Sequence, residues 1–136
     1  MSDARIYALI RERIGQPFSW GTHDCAMLAF DAVHAMTGKD PAADLRGAYS
    51  TAEEAQAILR KLGGLNGICR DRFGPRIVPE DMQCGDVALL SRAACEGLTQ
   101  EHGALGICWR GLIVAQAEAG LAYLPASTVL RAWRAA

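Results

Sequence analysis

One cysteine stands at the start of an almost wholly apolar segment, and this placement constrains the fold more than any other feature. Residues 20–25 read Trp-Gly-Thr-His-Asp-Cys and run directly into the apolar residues 26–36. Asp24 is a typical N-cap, so the pattern predicts a buried helix whose first turn carries Cys25. Because the N-terminus of a helix stabilises a thiolate, we expect a lowered pKa and a reactive thiol at Cys25.

Length, composition and charge place the chain among globular domains. Its 136 residues fit one domain, 51% of them are apolar, and the formal net charge is −1. This balance argues against a surface for nucleic acid, and no apolar run is long enough to span a membrane. The first residues lack the basic and apolar regions of a signal peptide, so we expect synthesis in the cytoplasm.

The cysteine pattern argues against both a disulfide framework and a metal centre. The chain has five widely spaced cysteines and no Cys-x-x-Cys pair. Structural zinc sites favour closely spaced pairs of ligands, and an odd number of cysteines does not suit a disulfide framework. Apart from Cys25, the cysteines are interpreted as small buried apolar residues.

The first half of the chain reads as helical. Apolar residues at helical spacing predict an amphipathic helix over residues 3–14, followed by the Cys25 helix, which ends near Thr37-Gly38. A capping box at residues 50–54 and the glycines at 63 and 64 predict a third helix over about 51–62. A shorter fourth helix is predicted from Leu65 to Phe73.

Short apolar runs separated by turns replace the helical pattern in the second half. They predict strands at residues 87–90, 104–109, 112–116 and 121–124, while residues 129–134 suit either a strand or a helical turn. We therefore expect a single α+β domain over residues 1–136, with a helical half at about 1–74 and an antiparallel meander at about 76–134. The apolar Cys25 helix must pack on this sheet, which places the thiol at the seam between the halves, where clefts form.

The order of these parts resembles the NlpC-type cell-wall peptidases, a bacterial and phage branch of the papain-like cysteine peptidases. The matching parts are the aromatic turn at 18–21, Asp24-Cys25, Gly85-Asp86 before a strand, and the segment 102–107, which begins with His102. The chain is also similar to a small group of phage and prophage tail proteins. That group shares the Arg-Gly-x-Tyr pattern of residues 46–49 and the Ala-Trp-Arg pattern of residues 132–134.

This resemblance implies a papain-like, NlpC-like fold and a cysteine peptidase acting on peptidoglycan peptides. Cys25 would be the nucleophile and His102 the general base, with the oxyanion on the backbone N–H of Cys25. Gln116, a polar residue in the strand after the histidine strand, is the candidate for orienting the base. No metal or organic cofactor is implied.

The same resemblance implies a place in the phage particle. The protein would be a tail-tip or hub component, made in the cytoplasm of the bacterial host and incorporated into the virion. Its partners would be other tail and hub proteins, with peptidoglycan peptides as substrate during DNA delivery. No nucleic-acid partner and no membrane span are expected.

Three departures from the family pattern support an alternative, in which the domain is a catalytically inactive structural or adaptor part of the tail. Residues 24–27 read Asp-Cys-Ala-Met instead of Asp-Cys-Ser-Gly, and Phe18 replaces a tyrosine that assists the oxyanion. The third concerns the histidine: aligning Gly106-Ile107 with the family puts Ala104 at its position. His102 then lies two residues upstream, displaced by roughly 6.6 Å unless a bulge at Gly103 restores the contact.

The alternatives differ in the residues and partners on which the function would depend. An inactive tail component would depend on surface aromatic residues such as Trp133 and not on Cys25. A third reading, a small cytoplasmic thiol enzyme unrelated to phage, would share the Cys25 chemistry but not the tail partners. The histidines at 23 and 34 are weaker candidates for the base. His34 lies nine residues, or about 13.5 Å, along the helix from Cys25.

Overall fold

The computed structural model describes residues 2–98, 100 and 103–135, and has an α+β fold. Within those residues the helices are α1 Ser2–Arg13, α2 Cys25–Thr37, α3 Ala52–Leu62, α4 Gly64–Phe73 and α5 Arg92–Gly97. The strands are β1 Arg76–Ile77, β2 Val87–Leu90, β3 Leu105–Trp109, β4 Leu112–Gln116, β5 Leu121–Pro125 and β6 Val129–Trp133. Single turns of 3-10 helix occur at Pro79–Asp81 and Ala126–Thr128.

Local capping signals set the ends of the predicted helices. The side chain of Asp24 accepts a hydrogen bond from the Met27 N–H at the start of α2, and Gly38 ends this helix with a φ of 77°. Thr51 caps α3 in the same way, accepting from the Glu54 N–H. Gly63, with a φ of 85°, ends α3 and precedes α4. The four predicted helices are therefore confirmed, whereas the short α5 is a helix that the sequence analysis missed.

The strands form a six-stranded antiparallel sheet within the described residues, in the order β1-β6-β2-β3-β4-β5. The segment 129–134, for which strand and helical turn were both open, contains β6. The expectation of a simple meander is wrong in one respect. Strands β2 to β5 follow one another as a meander, but β6 returns across the sheet and lies between β1 and β2.

The main core lies between the helices and one face of the sheet. Helix α2 packs against α1 and against β3 and β4, which confirms the predicted position of the Cys25 helix on the sheet. Trp133 in β6 has no exposed surface and is an anchor of this core, so the alternative in which it is a surface aromatic residue is wrong. A second buried cluster contains Cys25, Cys95, Leu98, Ala104 and Cys108, together with small residues of β2 and β4.

None of the helices in the described part of the chain is long and apolar enough to cross a membrane.

Candidate functional site

Cys25 is the first residue of α2, and its side chain lies against the start of β3. The residue is 7% exposed, and its thiol points to the backbone carbonyl of Gly103 with an Sγ–O distance of 3.9 Å. Gly103 has a φ of +99° and precedes Ala104, which shares the buried cluster of Cys25. The thiol thus meets the segment in which the sequence analysis places the catalytic histidine.

Burial decides the protonation state of this thiol. Burial and, to a smaller extent, the neighbouring Asp24 carboxylate together raise the pKa of Cys25 to about 12, while the N–H groups of Leu105 and Ala26 oppose the rise. The expectation of a lowered pKa is therefore wrong, because desolvation outweighs the helix N-terminus. Cys25 is a neutral thiol near pH 7, and a base must accept its proton before the sulfur can act as a nucleophile.

Asp24 is buried at the entrance to α2 and acts as a cap. One carboxylate oxygen accepts from the Met27 N–H at 2.8 Å, and the other accepts from the Gly21 N–H at 2.9 Å. That second oxygen also accepts a 2.5 Å hydrogen bond from the Tyr49 hydroxyl. Its three donors show that Asp24 holds together the turn before Cys25, the first turn of α2 and the Tyr49 loop.

Tyr49 is a site residue to which the sequence analysis assigned no role. Its loop is fixed on α2 by Arg46, whose guanidinium pairs with Asp31 at 2.5 Å and with Asp40 at 2.7 Å. Arg13 of α1 also pairs with Asp31. The Arg-Gly-x-Tyr spacing of residues 46–49 was the available signal, since Tyr49 reaches Asp24 before α2 and Arg46 reaches Asp31 within it and Asp40 after it.

Gly21 is required where the aromatic turn meets this loop. Its φ is +85°, and a Cβ atom at this position would lie 2.2 Å from the Tyr49 carbonyl oxygen. Only glycine combines the left-handed backbone with such a close approach. Phe18 and Trp20 of the same turn form an edge-to-face pair with ring centroids 4.8 Å apart. The Trp-Gly signature therefore shapes the wall beside Cys25.

Cys25 lies in the wall of a cavity of about 230 Å³ bounded by α2, α3, α4 and the Tyr49 loop. Most of the lining is apolar, and α3 and α4 contribute Ala55, Ile58, Leu59, Leu65 and Ile68 to it. Polar groups at the cavity come from Asp24, Tyr49, Gln56 and Gln100. A thiol beside a cavity of this kind can meet a small substrate group out of bulk water.

The roles of His102 as base and of Gln116 as orienting residue stay predictions. His102 lies outside the described residues, although it precedes Gly103 in the sequence. Gln116 is fully buried, and its amide nitrogen donates to the carbonyls of Gln16, Ala117 and Gly120. Its side-chain oxygen has no hydrogen-bond partner in the described part of the chain. Gln116 is not among the described residues that line the Cys25 cavity.

Comparison with known proteins assigns the chain to a family. The profile of the DUF6950 family, described as a domain of unknown function, matches residues 2–135. The chain belongs to the DUF6950 family. A comparison with curated proteins gives no match.

The motifs of this DUF6950 chain form two groups. The Trp-Gly and Arg-Gly-x-Tyr patterns surround Cys25, whereas the Gly-Asp and Ala-Trp-Arg patterns meet at the start of β2. Asp86 accepts from the Gln83 N–H at 2.8 Å and from the Ala135 N–H at 3.2 Å, and it pairs with Arg134 at 3.4 Å. The Gly-Asp and Ala-Trp-Arg patterns of this DUF6950 chain therefore fasten β6 to the start of β2. The Trp-Gly and Arg-Gly-x-Tyr patterns instead build the surroundings of Cys25.

Proposed function

We propose that this chain is a phage or prophage tail component whose papain-like, NlpC-like domain hydrolyses peptidoglycan peptides with Cys25 as nucleophile. One observation carries the proposal: Cys25 begins a buried helix, borders a cavity and contacts the backbone just after His102 in the sequence. A helix start, a cleft and a neighbouring candidate base are the elements that a cysteine nucleophile needs.

The proposed reaction is acyl transfer in two stages. The Cys25 sulfur attacks the carbonyl carbon of an amide, and His102 accepts the thiol proton and passes it to the leaving amine. The carbon–nitrogen bond breaks and a thioester remains on Cys25. Water then attacks the thioester and gives its proton to His102, which returns a proton to the sulfur as the carboxylic acid departs. No cofactor takes part in either stage.

Backbone and amide groups supply the remaining roles. The N–H of Cys25 belongs to the first helical turn, where donors lack intrahelical partners, so it can stabilise the oxyanion. The side-chain oxygen of Gln116 is buried and without a partner among the described residues, which leaves it available to accept from an imidazole N–H. In this proposal Gln116 orients His102 while its amide nitrogen anchors neighbouring loops.

The proposed setting is the tail tip of a virion, with other tail or hub proteins as partners and peptidoglycan as the barrier to be opened. This setting rests on the order of motifs along residues 18–134, which is similar to that of a small group of phage and prophage tail proteins. Assembly takes place in the host cytoplasm before the particle is released.

An inactive structural role in the tail is the second candidate, and a specific observation favours it. Cys25 is almost fully buried, and its pKa is raised to about 12. Such a thiol resembles a packing residue unless a base reaches it. The two candidates therefore differ in whether His102 and Cys25 form a pair.

Turnover by matched cysteine variants tests the proposal. Purified peptidoglycan fragments are incubated with the wild type, Cys25→Ala, His102→Ala and Cys95→Ala, and released amino groups are measured. We expect release by the wild type and by Cys95→Ala, a buried cysteine of the same cluster, and loss of release in the other two variants. Release that is absent from the wild type, or unchanged by Cys25→Ala, would overturn the enzymatic proposal.

Alkylation of Cys25 separates the two candidates without a substrate. The rate of reaction with iodoacetamide is measured against pH in the wild type and in His102→Ala. A Cys–His pair gives a rate that levels off below the ordinary thiol pKa of 9.0 and loses this plateau in the variant. A slow rate that climbs with pH in the same way in both proteins indicates a structural thiol.

A further inference from the structure

The cavity beside Cys25 has a composition that points to its ligand. It is formed largely by α3 and α4, which turn Ile58, Leu59, Leu65 and Ile68 toward it. Ile58 and Leu59 lie on the inner face of α3 but remain only partly buried, because they border this space. Protein interiors are close-packed, so an apolar space of this size next to a thiol suits an apolar guest.

The charges around the cavity argue against an anionic guest. Within the described residues no lysine or arginine lines it, so an anionic group would find no counter-ion there. The Asp24 carboxylate at one end already accepts from two backbone N–H groups and from Tyr49. Burying an unpaired charge is strongly unfavourable. A guest in this cavity is therefore not an anion, and the largely apolar lining favours an uncharged one.

The volume limits the size of that guest. A dry apolar cavity of roughly 150 Å³ is large enough to hold benzene. At about 230 Å³, this cavity has room for a somewhat larger group, such as a short alkyl chain or a branched aliphatic side chain. Uncharged polar groups of Gln56 and Gln100 also border the space, and they suit an amide or carbonyl near its polar side.

We propose that this cavity is a binding site for an uncharged aliphatic group attached to the carbonyl that is presented to Cys25. The site deepens the proposed function, since it names the part of the acyl donor that enters the protein, and in that sense it rests on that function. Binding itself requires no reaction at the sulfur, so it can be tested separately. A peptide side chain and a simple acyl chain share this chemistry.

A pair of neutral amides tests the site without turnover. Hexanamide and acetamide are titrated into Cys25→Ala, and backbone amide signals are followed by NMR. Each buried methylene strengthens binding by roughly a factor of four, so we expect hexanamide to bind at least about tenfold more tightly. The shifted signals should fall in α3 and α4. Equal affinities, or shifts confined to other elements, would overturn the assignment.

Matched substitutions of alanine by leucine on α3 locate the bound group. Ala55 lines the cavity, whereas Ala57 on the same helix is exposed. Ala55→Leu fills the space and should weaken hexanamide binding at least about tenfold, while Ala57→Leu should leave it unchanged. Ala52→Leu, also at the cavity, replaces Ala55→Leu if that variant does not fold. Undiminished binding in whichever of these two cavity variants folds contradicts the proposal.

Further ligands distinguish a peptide side chain from an acyl chain, and they test the cavity assignment separately from the peptidase proposal. Hexanoate, which differs from hexanamide by its charge, should bind more weakly; equal binding would contradict the argument from charge. Tighter binding of N-acetyl-leucinamide indicates a peptide side chain, and tighter binding of hexanamide indicates an acyl chain; both support an aliphatic guest. If hexanamide binds but peptidoglycan is not cleaved, only the peptidase proposal fails. If cleavage occurs without a preference for aliphatic groups, only the cavity assignment fails.

Discussion

At the scale of single residues, one buried carboxylate organises the entrance to the candidate site. Asp24 joins the aromatic turn, the first turn of α2 and the Tyr49 loop through hydrogen bonds to Gly21, Met27 and Tyr49. A buried carboxylate is stable only while its donors stay in place. The position of Cys25 therefore depends on residues that need not react themselves.

Tyr49→Phe tests the contribution of the hydroxyl to this arrangement. The variant removes one donor from the Asp24 carboxylate, and a hydrogen bond to a charged group contributes about 1.5–3 kcal/mol to stability. We expect the free energy of unfolding, measured by urea denaturation, to fall by that amount. Tyr123→Phe is the matched control, because Tyr123 is 44% exposed on β5, and it should change stability by less than about 0.5 kcal/mol.

Gly21→Ala tests the close approach between the aromatic turn and the Tyr49 loop. Both Gly21 and Gly47 have left-handed backbones, with φ of +85° and +76°, but a Cβ atom at Gly47 meets nothing within 4 Å. Alanine in this conformation costs about 1–2 kcal/mol, so we expect Gly47→Ala to lower the free energy of unfolding by that amount and no more. The clash with the Tyr49 carbonyl should raise the cost for Gly21→Ala to at least about 3 kcal/mol. Equal unfolding free energies for the two variants would contradict this account.

At the scale of elements, the cavity has one firmly anchored wall and one lightly anchored wall. Helix α2 buries seven of its residues in the core, whereas the buried residue of α3 is Ala55. Elements with few buried contacts open at lower free energy than the rest of the molecule. Helix α3 is therefore the wall that can move to admit a group beside Cys25.

Hydrogen exchange measures this difference directly. We expect the amides of α3 to exchange faster than those of α2 under native conditions. Thr51→Ala removes the side chain that accepts from the Glu54 N–H at the start of α3, at a cost of about 1 kcal/mol. That cost should speed exchange in α3 about fivefold and leave α2 unchanged. Equal protection of both helices in the wild type would show that α3 opens only with the whole fold.

Local signals explain why the elements were predictable and the site only in part. Asp24 and Thr51 cap their helices through neighbours three residues away, so the sequence contains the evidence for both helix starts. The return of β6 between β1 and β2 depends on pairing between distant segments, which no local pattern specifies. The raised pKa of Cys25 likewise depends on burial by remote parts of the chain, and Tyr49 lies 25 positions from the carboxylate it binds.

At the scale of the whole molecule, the two groups of motifs hold the chain at different places. Arg46 and Tyr49 fix the long loop after α2 onto that helix, while Asp86 fixes the segment after β6 to the start of β2. Trp133 fills the core between these regions without any exposed surface. The helical half and the sheet therefore share the main core, which contains Cys69, while Cys25 lies in the second buried cluster. Ionisation of these two buried thiols couples the stability of the fold to pH.

Stability should fall in alkaline solution because burial raises the pKa of both Cys25 and Cys69 to about 12, from an ordinary value of 9.0. Below pH 9 both the folded and the unfolded chain keep these protons, so these two thiols do not lower the free energy of unfolding. Above pH 9 the unfolded chain loses them first, and the free energy of unfolding decreases by up to about 1.4 kcal/mol per pH unit for each thiol until the folded thiols also ionise.

Urea unfolding between pH 8 and 10 tests this coupling, because the ordinary tyrosine value of 10.0 keeps Tyr49 protonated over most of that range. Cys69→Ala should make the decline with pH shallower by about the slope of one thiol, whatever it does to stability at pH 8, and Cys25→Ala should do the same if no base pairs with its thiol. Cys84→Ala, at a more exposed position, should stay closer to the wild-type slope. A slope that Cys25→Ala leaves unchanged would mean that its thiol ionises alike in the folded and unfolded chains. Cys25 would then have a far lower pKa in the fold than its burial dictates, as a paired base such as His102 would produce.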